Sequence, residues 1–142
     1  MPQLVAEVAT YLAAQGLGLT VGSTGNLFPV PFPPSAPQAA VCLREYGGGP
    51  AIRNFGASLA APVCEVRRFQ VLTRDVANNF GTAQTLAQNI SNQLDSIGDT
   101  TLSAVRYLNI VALGPPRYLG EDENGRHEFA QNFEAFRART SG

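Results

Sequence analysis

A chain of 142 residues and 15.1 kDa is the size of one domain, and at 44% hydrophobic content it can build a full core. Charged residues make up only 15%, against a globular average of about 25%, and ten arginines against eleven acidic residues leave a formal charge of -1. That balance excludes a strong field for nucleic acid or anionic lipid, no apolar run reaches the roughly 18 residues of a membrane span, and two cysteines are too few for a disulfide framework.

The expected organisation is therefore a single domain over residues 1–142. Residues 2–14 contain Glu7 and lack a basic leader, so they do not read as a secretory signal, and the expectation is a soluble protein made in the cytoplasm. Cys42 and Cys64 read as reduced, buried small hydrophobes.

Leu4, Val5, Val8, Tyr11 and Leu12 recur at helical spacing, and Gly16 and Gly18 follow as left-handed stops, which predicts a helix over Leu4 to Gln15. From Leu17 to Gln38 Gly and Pro dominate. Pro29, Pro31, Pro33, Pro34 and Pro37 forbid helix and remove ladder donors, leaving room only for a short edge strand near Asn26 to Val30. Ala39 to Tyr46 reads as a buried strand, which Gly47, Gly48, Gly49 and Pro50 are expected to end, with loop up to about Pro62.

Val63 to Thr73 interleaves Val63, Val66, Phe69, Val71 and Leu72 with polar residues, a strand with a bulge expected at the adjacent Arg67 and Arg68. Asp75 can cap the next helix, predicted over Val76 to Ser96, whose apolar face is Phe80, Ala83, Leu86, Ala87, Ile90, Leu94 and Ile97. Gly98 and Asp99 end it. Val105 to Leu113 returns as a strand before Gly114, Pro115 and Pro116. Tyr118 to Glu121 and His127 to Arg137 then flank a hairpin turn centred on Asn124 and Gly125. On that last strand Phe129, Gln131 and Phe133 share the core face, opposite Glu128, Asn132, Glu134 and Phe136.

This order predicts an α/β (α+β) domain: a single, largely antiparallel mixed sheet, two helices packed on one face, and a closing C-terminal β-hairpin. The long segments at about 17–38 and 47–62 are where function is expected, because long loops in small domains are usually functional or ordered by a partner.

A search for chemistry returns no catalytic, cofactor-binding or metal-binding set. His127 has no cysteine or histidine at ligand spacing and reads as a solvated hairpin histidine. Glu121, Asp122 and Glu123 lack the alternating ligands and distal glutamate of a calcium loop, so they read as a charged hairpin tip. Gly47 to Gly49 lead into Pro50 rather than a helix and are no phosphate cradle. A small cytoplasmic hydrolase built on His127 and its neighbouring carboxylates would lack a partner geometry. Phe28 and Phe32 lie among prolines and either pin their loop down or form an exposed patch for another subunit.

In the last third, Gly114-Pro115, Tyr118-Leu119-Gly120, the run Asp122-Glu123-Asn124-Gly125-Arg126-His127-Glu128-Phe129 and Asn132-Phe133-Glu134 carry a resemblance that continues upstream. It includes Gly25-Asn26-Leu27-Phe28 before a proline, Glu45-Tyr46-Gly47-Gly48, and Phe69-Gln70-Val71-Leu72-Thr73-Arg74. The chain resembles the tail terminator proteins, also called minor capsid or tail completion proteins, of long-tailed bacteriophages. The segment from Pro29 to Pro37 is richer in proline than that family leads one to expect.

The resemblance implies a non-enzymatic virion protein with no cofactor, located at the head-tail neck after assembly in the host cytoplasm. It implies a homohexameric ring that caps the major tail tube protein, stops polymerisation and presents a face to a head-completion or connector protein. DNA would pass through the lumen unread, and no membrane is involved. Another neck or head-tail joining protein would share the format and differ in where it sits. Within such a ring, Phe28, Phe32, Glu45, Gly47, Gly48, Gly49 and Arg117 are the expected interface residues, Arg117 and the run from Glu45 because they lie at strand ends beside long loops.

Overall fold

A computed structural model describes residues 4–22, 24–32, 36–52, 64–75 and 80–138. The elements in chain order are α1 (Leu4–Ala13), β1 (Leu27–Phe28), β2 (Ala40–Ile52), β3 (Cys64–Asp75), α2 (Phe80–Asp95), β4 (Gly98–Leu102), β5 (Val105–Ala112), β6 (Arg117–Glu121) and β7 (His127–Ala138). They form one seven-stranded sheet in the order β1-β2-β3-β7-β5-β4, with β6 also on β7. Every pairing is antiparallel except β1 with β2. The fold is the mixed α+β domain that the element order predicts.

β7 organises the sheet. Its whole length pairs with β3, from Asp75↔His127 to Cys64↔Ala138. Its other edge is shared: β6 takes the first part, from His127 to Ala130, and β5 the last, from Phe133 to Arg137. Strand alternation therefore points Phe133 and Ala135 of β7, Phe69 and Val71 of β3, and Val41 and Leu43 of β2 to one face. There Leu4, Val8 and Leu12 of α1 and Ile90 and Leu94 of α2 close a single core, with the Phe69 and Phe133 rings stacked 5.3 Å apart. Both helices thus lie on the same face.

Several boundaries differ from the sequence reading. α1 ends at Ala13, two residues short of Gln15, because Gly16 and Gly18 adopt positive φ of 73° and 76° and unwind its end. α2 begins at Phe80; residues 76–79, and with them the first turn expected there, lie outside the described residues. β1 is confined to Leu27–Phe28.

β2 does not stop at Gly47 but runs to Ile52. β1 covers only Val41 and Cys42, so further along β2 has a ladder on one side alone, and β3 supplies it. An edge strand of this kind accommodates glycine and proline. Residues 53–63, the rest of the expected loop and the start of the Val63 strand, lie outside the described residues. The irregularity expected at Arg67 and Arg68 exists, but the extra residue belongs to β2. Glu45 opposes Phe69 and Gly47 opposes Arg68, leaving Tyr46 unpaired between them.

β4 was not legible as a strand. It pairs with β5 through a two-residue turn in which Ser103 and Ala104 hold φ of 49° and 66°, a conformation usually signalled by Asn or Gly.

Candidate assembly surfaces

The sheet face opposite the helices carries Arg44, Arg68, Gln70, Leu72, Glu128, Asn132 and Glu134, none of them fully buried. Polar side chains there bond across strands rather than to a covering layer. Arg68 donates to Glu134 at 2.8 Å, Arg44 to Gln70 at 3.0 Å, and Gln70 to Asn132 at 3.2 Å. Such ladders hold side chains in fixed positions on an open face.

The proline-rich segment covers one corner of this face. Phe28 packs with Ala40 and Cys42, and Phe32 and Leu72 close against them. The Phe28 and Phe32 rings meet edge to face at 6.4 Å. Arg74 then clamps the segment: its guanidinium donates to the carbonyls of Pro37 at 2.6 Å and Gln38 at 3.1 Å and lies 4.1 Å from the Phe32 ring centroid. Phe28 is buried and Phe32 half-buried, so both pin the loop to their own sheet. Burial pushes the Cys42 thiol up to about 11, despite the opposing charges of Arg44 and Arg74.

One lateral row crosses the sheet as Phe28, Cys42, Leu72, Ala130 and Arg117, each directly opposite the next. Arg117 ends that row, exposed, and has no ion-pair partner among the described residues. Beside it the connection from β5 to β6 forms an open cleft of about 450 Å³ between Leu113 and Tyr118 on one side and Ala130 to Asn132 on the other. Gln131 spans its floor, donating to Ser91 Oγ at 2.9 Å and to the Gly114 carbonyl at 2.7 Å. Leu113 and Tyr118 on this cleft are exposed by 49% and 42%, and Leu119, which instead lines a depression with Phe32 and Leu72, by 49%, apolar exposure the sequence reading did not select. The signal was the apolar pair Tyr118-Leu119, which puts a large side chain on each face of a short strand.

Glu45 and Gly47 to Gly49 lie at the other end of the sheet, away from Arg117. Glu45 accepts from Arg67 Nη2 at 2.8 Å, and its Oε1 makes a close ion contact with Arg67 Nε without hydrogen-bond alignment. Arg67 also reaches Glu65 at 3.4 Å, as does Arg137, whose fork is held by Glu7 of α1. Tyr107 completes the network with a 2.5 Å bond to Glu7. Burial, then the Glu7 carboxylate, hold the Tyr107 hydroxyl well above its ordinary pKa. Gly48 packs so closely on the Val66 carbonyl that a side chain there would collide with backbone. The expected interface residues therefore form three places: Phe28 with Phe32, Glu45 with Gly47 to Gly49, and Arg117.

His127 is not a solvated hairpin residue. It is 8% exposed, because Phe80 from α2 and Tyr118 from β6 close over it, with the Tyr118 hydroxyl 2.9 Å from Nδ1. The tip beyond it is a fold device. Asp122 accepts from the backbone of Asn124 and Arg126 and from the Arg126 side chain at 2.7 Å. Desolvation opposes the charge, yet these bonds hold the Asp122 carboxyl below its ordinary pKa.

No curated protein matches the chain significantly. Among solved structures, a chain in the virion of a native gene transfer agent particle shares the fold, with a TM-score of 0.65 at 22% identity, over 96% of this chain and 95% of that one. A family model described as bacteriophage tail terminator protein matches residues 11–137, from α1 into the last turn of β7's ladder. On that match over most of its length, the chain belongs to the bacteriophage tail terminator proteins, structural components of the virion.

Proposed function

We propose that the protein closes into a homohexameric ring that caps the finished tail tube, stops its polymerisation and presents the surface to which the head-completion or connector protein attaches. The observation that carries this reading is the family match over residues 11–137. Ring closure needs two different patches on each copy, one meeting the other until rotation closes. The open sheet face, the exposed Arg117 and the glycine run of β2 are suitable material for such patches. Arg117 offers its fork to a carboxylate of a neighbour, Phe32 and Phe28 hold the proline-rich corner in shape, and Glu45 to Gly49 lie at a subunit boundary. DNA passes through the lumen without being read, in keeping with a formal charge of -1.

Tails assembled without this protein test the reading. Overlong tubes without heads are expected. Tubes of normal length beside unjoined heads would instead place the protein among the head-tail joining proteins. Arg117→Ala and Glu45→Ala are each expected to alter ring closure or tail length; if both leave ring and tail unchanged, those boundary positions are wrong.

A further inference from the structure

From the two sheet edges that no other described strand covers along their length we infer that neighbouring copies join by edge-to-edge strand pairing, β4 of one copy laid parallel against the outer edge of β2 of the next. The inference rests on the proposed ring and specifies how it closes.

The outer edge of β2 is occupied only at Val41 and Cys42, by β1 in parallel orientation. Val41 N–H donates to the Asn26 carbonyl across that edge at 2.8 Å. Antiparallel alternation on β3 then turns the N–H groups of Leu43 and Glu45 outward as well, and no described strand meets them. β4 is the opposite edge. Leu102 and Val105 close its two-residue turn as a hydrogen-bonded pair, so Thr101 directs its N–H and C=O away from β5. Such rows of unmet backbone groups are templates for another chain, and sheets that avoid pairing usually blunt them with charge or proline. From Tyr46 to Gly49 the β2 edge presents one tyrosine and three glycines, which let a second backbone approach.

The two edges also match in direction. Gly49, Val66, Phe136, Asn109 and Gly98 face one another in a single row, so β4 begins level with Gly49 and runs on past it, and it meets the 43–48 stretch of a neighbouring β2 through an offset along the strands. Four successive antiparallel pairings leave β2 and β4 running the same way. A rotation that continues the sheet sideways preserves strand direction, so the new ladder is parallel, as β1 on β2 already is. A twofold dimer would instead pair an edge with itself, antiparallel.

Hydrogen exchange on assembled rings, in solution or on tail tubes, tests this. Peptides covering 43–48 and 98–102 are expected to exchange about tenfold or more slowly than in the monomer, and unchanged rates in both would overturn the pairing. Thr101→Pro removes the outward donor and is expected to give folded monomer, while Thr101→Val keeps the donor and the ring. A folded Thr101→Pro chain that closes as well as wild type overturns it, as do Thr101→Cys chains that cross-link to one another in pairs. A wild-type chain that stays monomeric in solution and on tubes would fail the ring reading itself.

Discussion

Arg137 near the end of β7 and Glu7 in α1 hold each other as a two-bonded fork, 3.0 Å from Nε to Oε1 and 2.9 Å from Nη2 to Oε2, with side chains 4% and 1% exposed. The pair bolts the first helix to the last strand. Removing one partner takes from the other its close countercharge in the core, a loss of about 3 to 5 kcal/mol. Glu7→Leu is expected to unfold at markedly lower urea concentration than wild type, and Glu7→Leu with Arg137→Met to recover much of the difference. Equal loss in the single and double variants would mean that packing, not the lost countercharge, sets the cost.

Little of this pair was legible beforehand. Glu7 sits in an apolar helix pattern and Arg137 on a core face, but nothing local joins residues 130 apart. What was legible rests on local signals: α2 on its three-and-four spacing, the last hairpin on Asn124-Gly125, and the two faces of β7 on strict alternation. β4 escaped because Gly98 to Thr101 show no apolar alternation and the turn after it uses Ser103 and Ala104. His127 escaped because its cover depends on Phe80 of α2, far from it in sequence, closing beside Tyr118 of the neighbouring strand.

Arg74 ties the proline-rich segment to the sheet through two carbonyls and one ring. Arg74→Ala is expected to cost about 2 kcal/mol and to speed protease cleavage near Phe32. Arg74→Lys restores little, since an ammonium cannot reproduce the planar fork. Thermal unfolding and timed digestion read both effects.

Glycine substitutions separate close approach from mere flexibility. Gly48→Ala forces a methyl group onto the Val66 carbonyl and is expected to destabilise by about 1 to 3 kcal/mol. At Gly81, in the first turn of α2, the added methyl meets open space, so Gly81→Ala should be neutral or stabilising by up to about 1 kcal/mol. Denaturant midpoints of the two variants should move in opposite directions or differ by that margin.

Alkaline pH should weaken the fold through Cys42. Burial raises its pKa from 9.0 to about 11 in the folded chain, so the unfolded chain loses the proton first. The stabilisation is complete below pH 9 and is lost as pH climbs toward 11, a change of about 2 kcal/mol. Cys42→Ala should flatten the profile from pH 9 to 10, below the range where Tyr107 also contributes. A wild-type profile already flat from pH 9 to 11 would rule out an ionisable thiol at this site.

The position of β7 governs when the protein can take shape during its synthesis. It follows every other described strand in the chain, yet it lies at the middle of the sheet, with β3 on one side and β5 and β6 on the other. Until it emerges, β2 and β3 can form one hairpin and β4 and β5 another, with no strand to join them. The nascent chain therefore has no complete sheet, and the fold can close only once β7 has emerged.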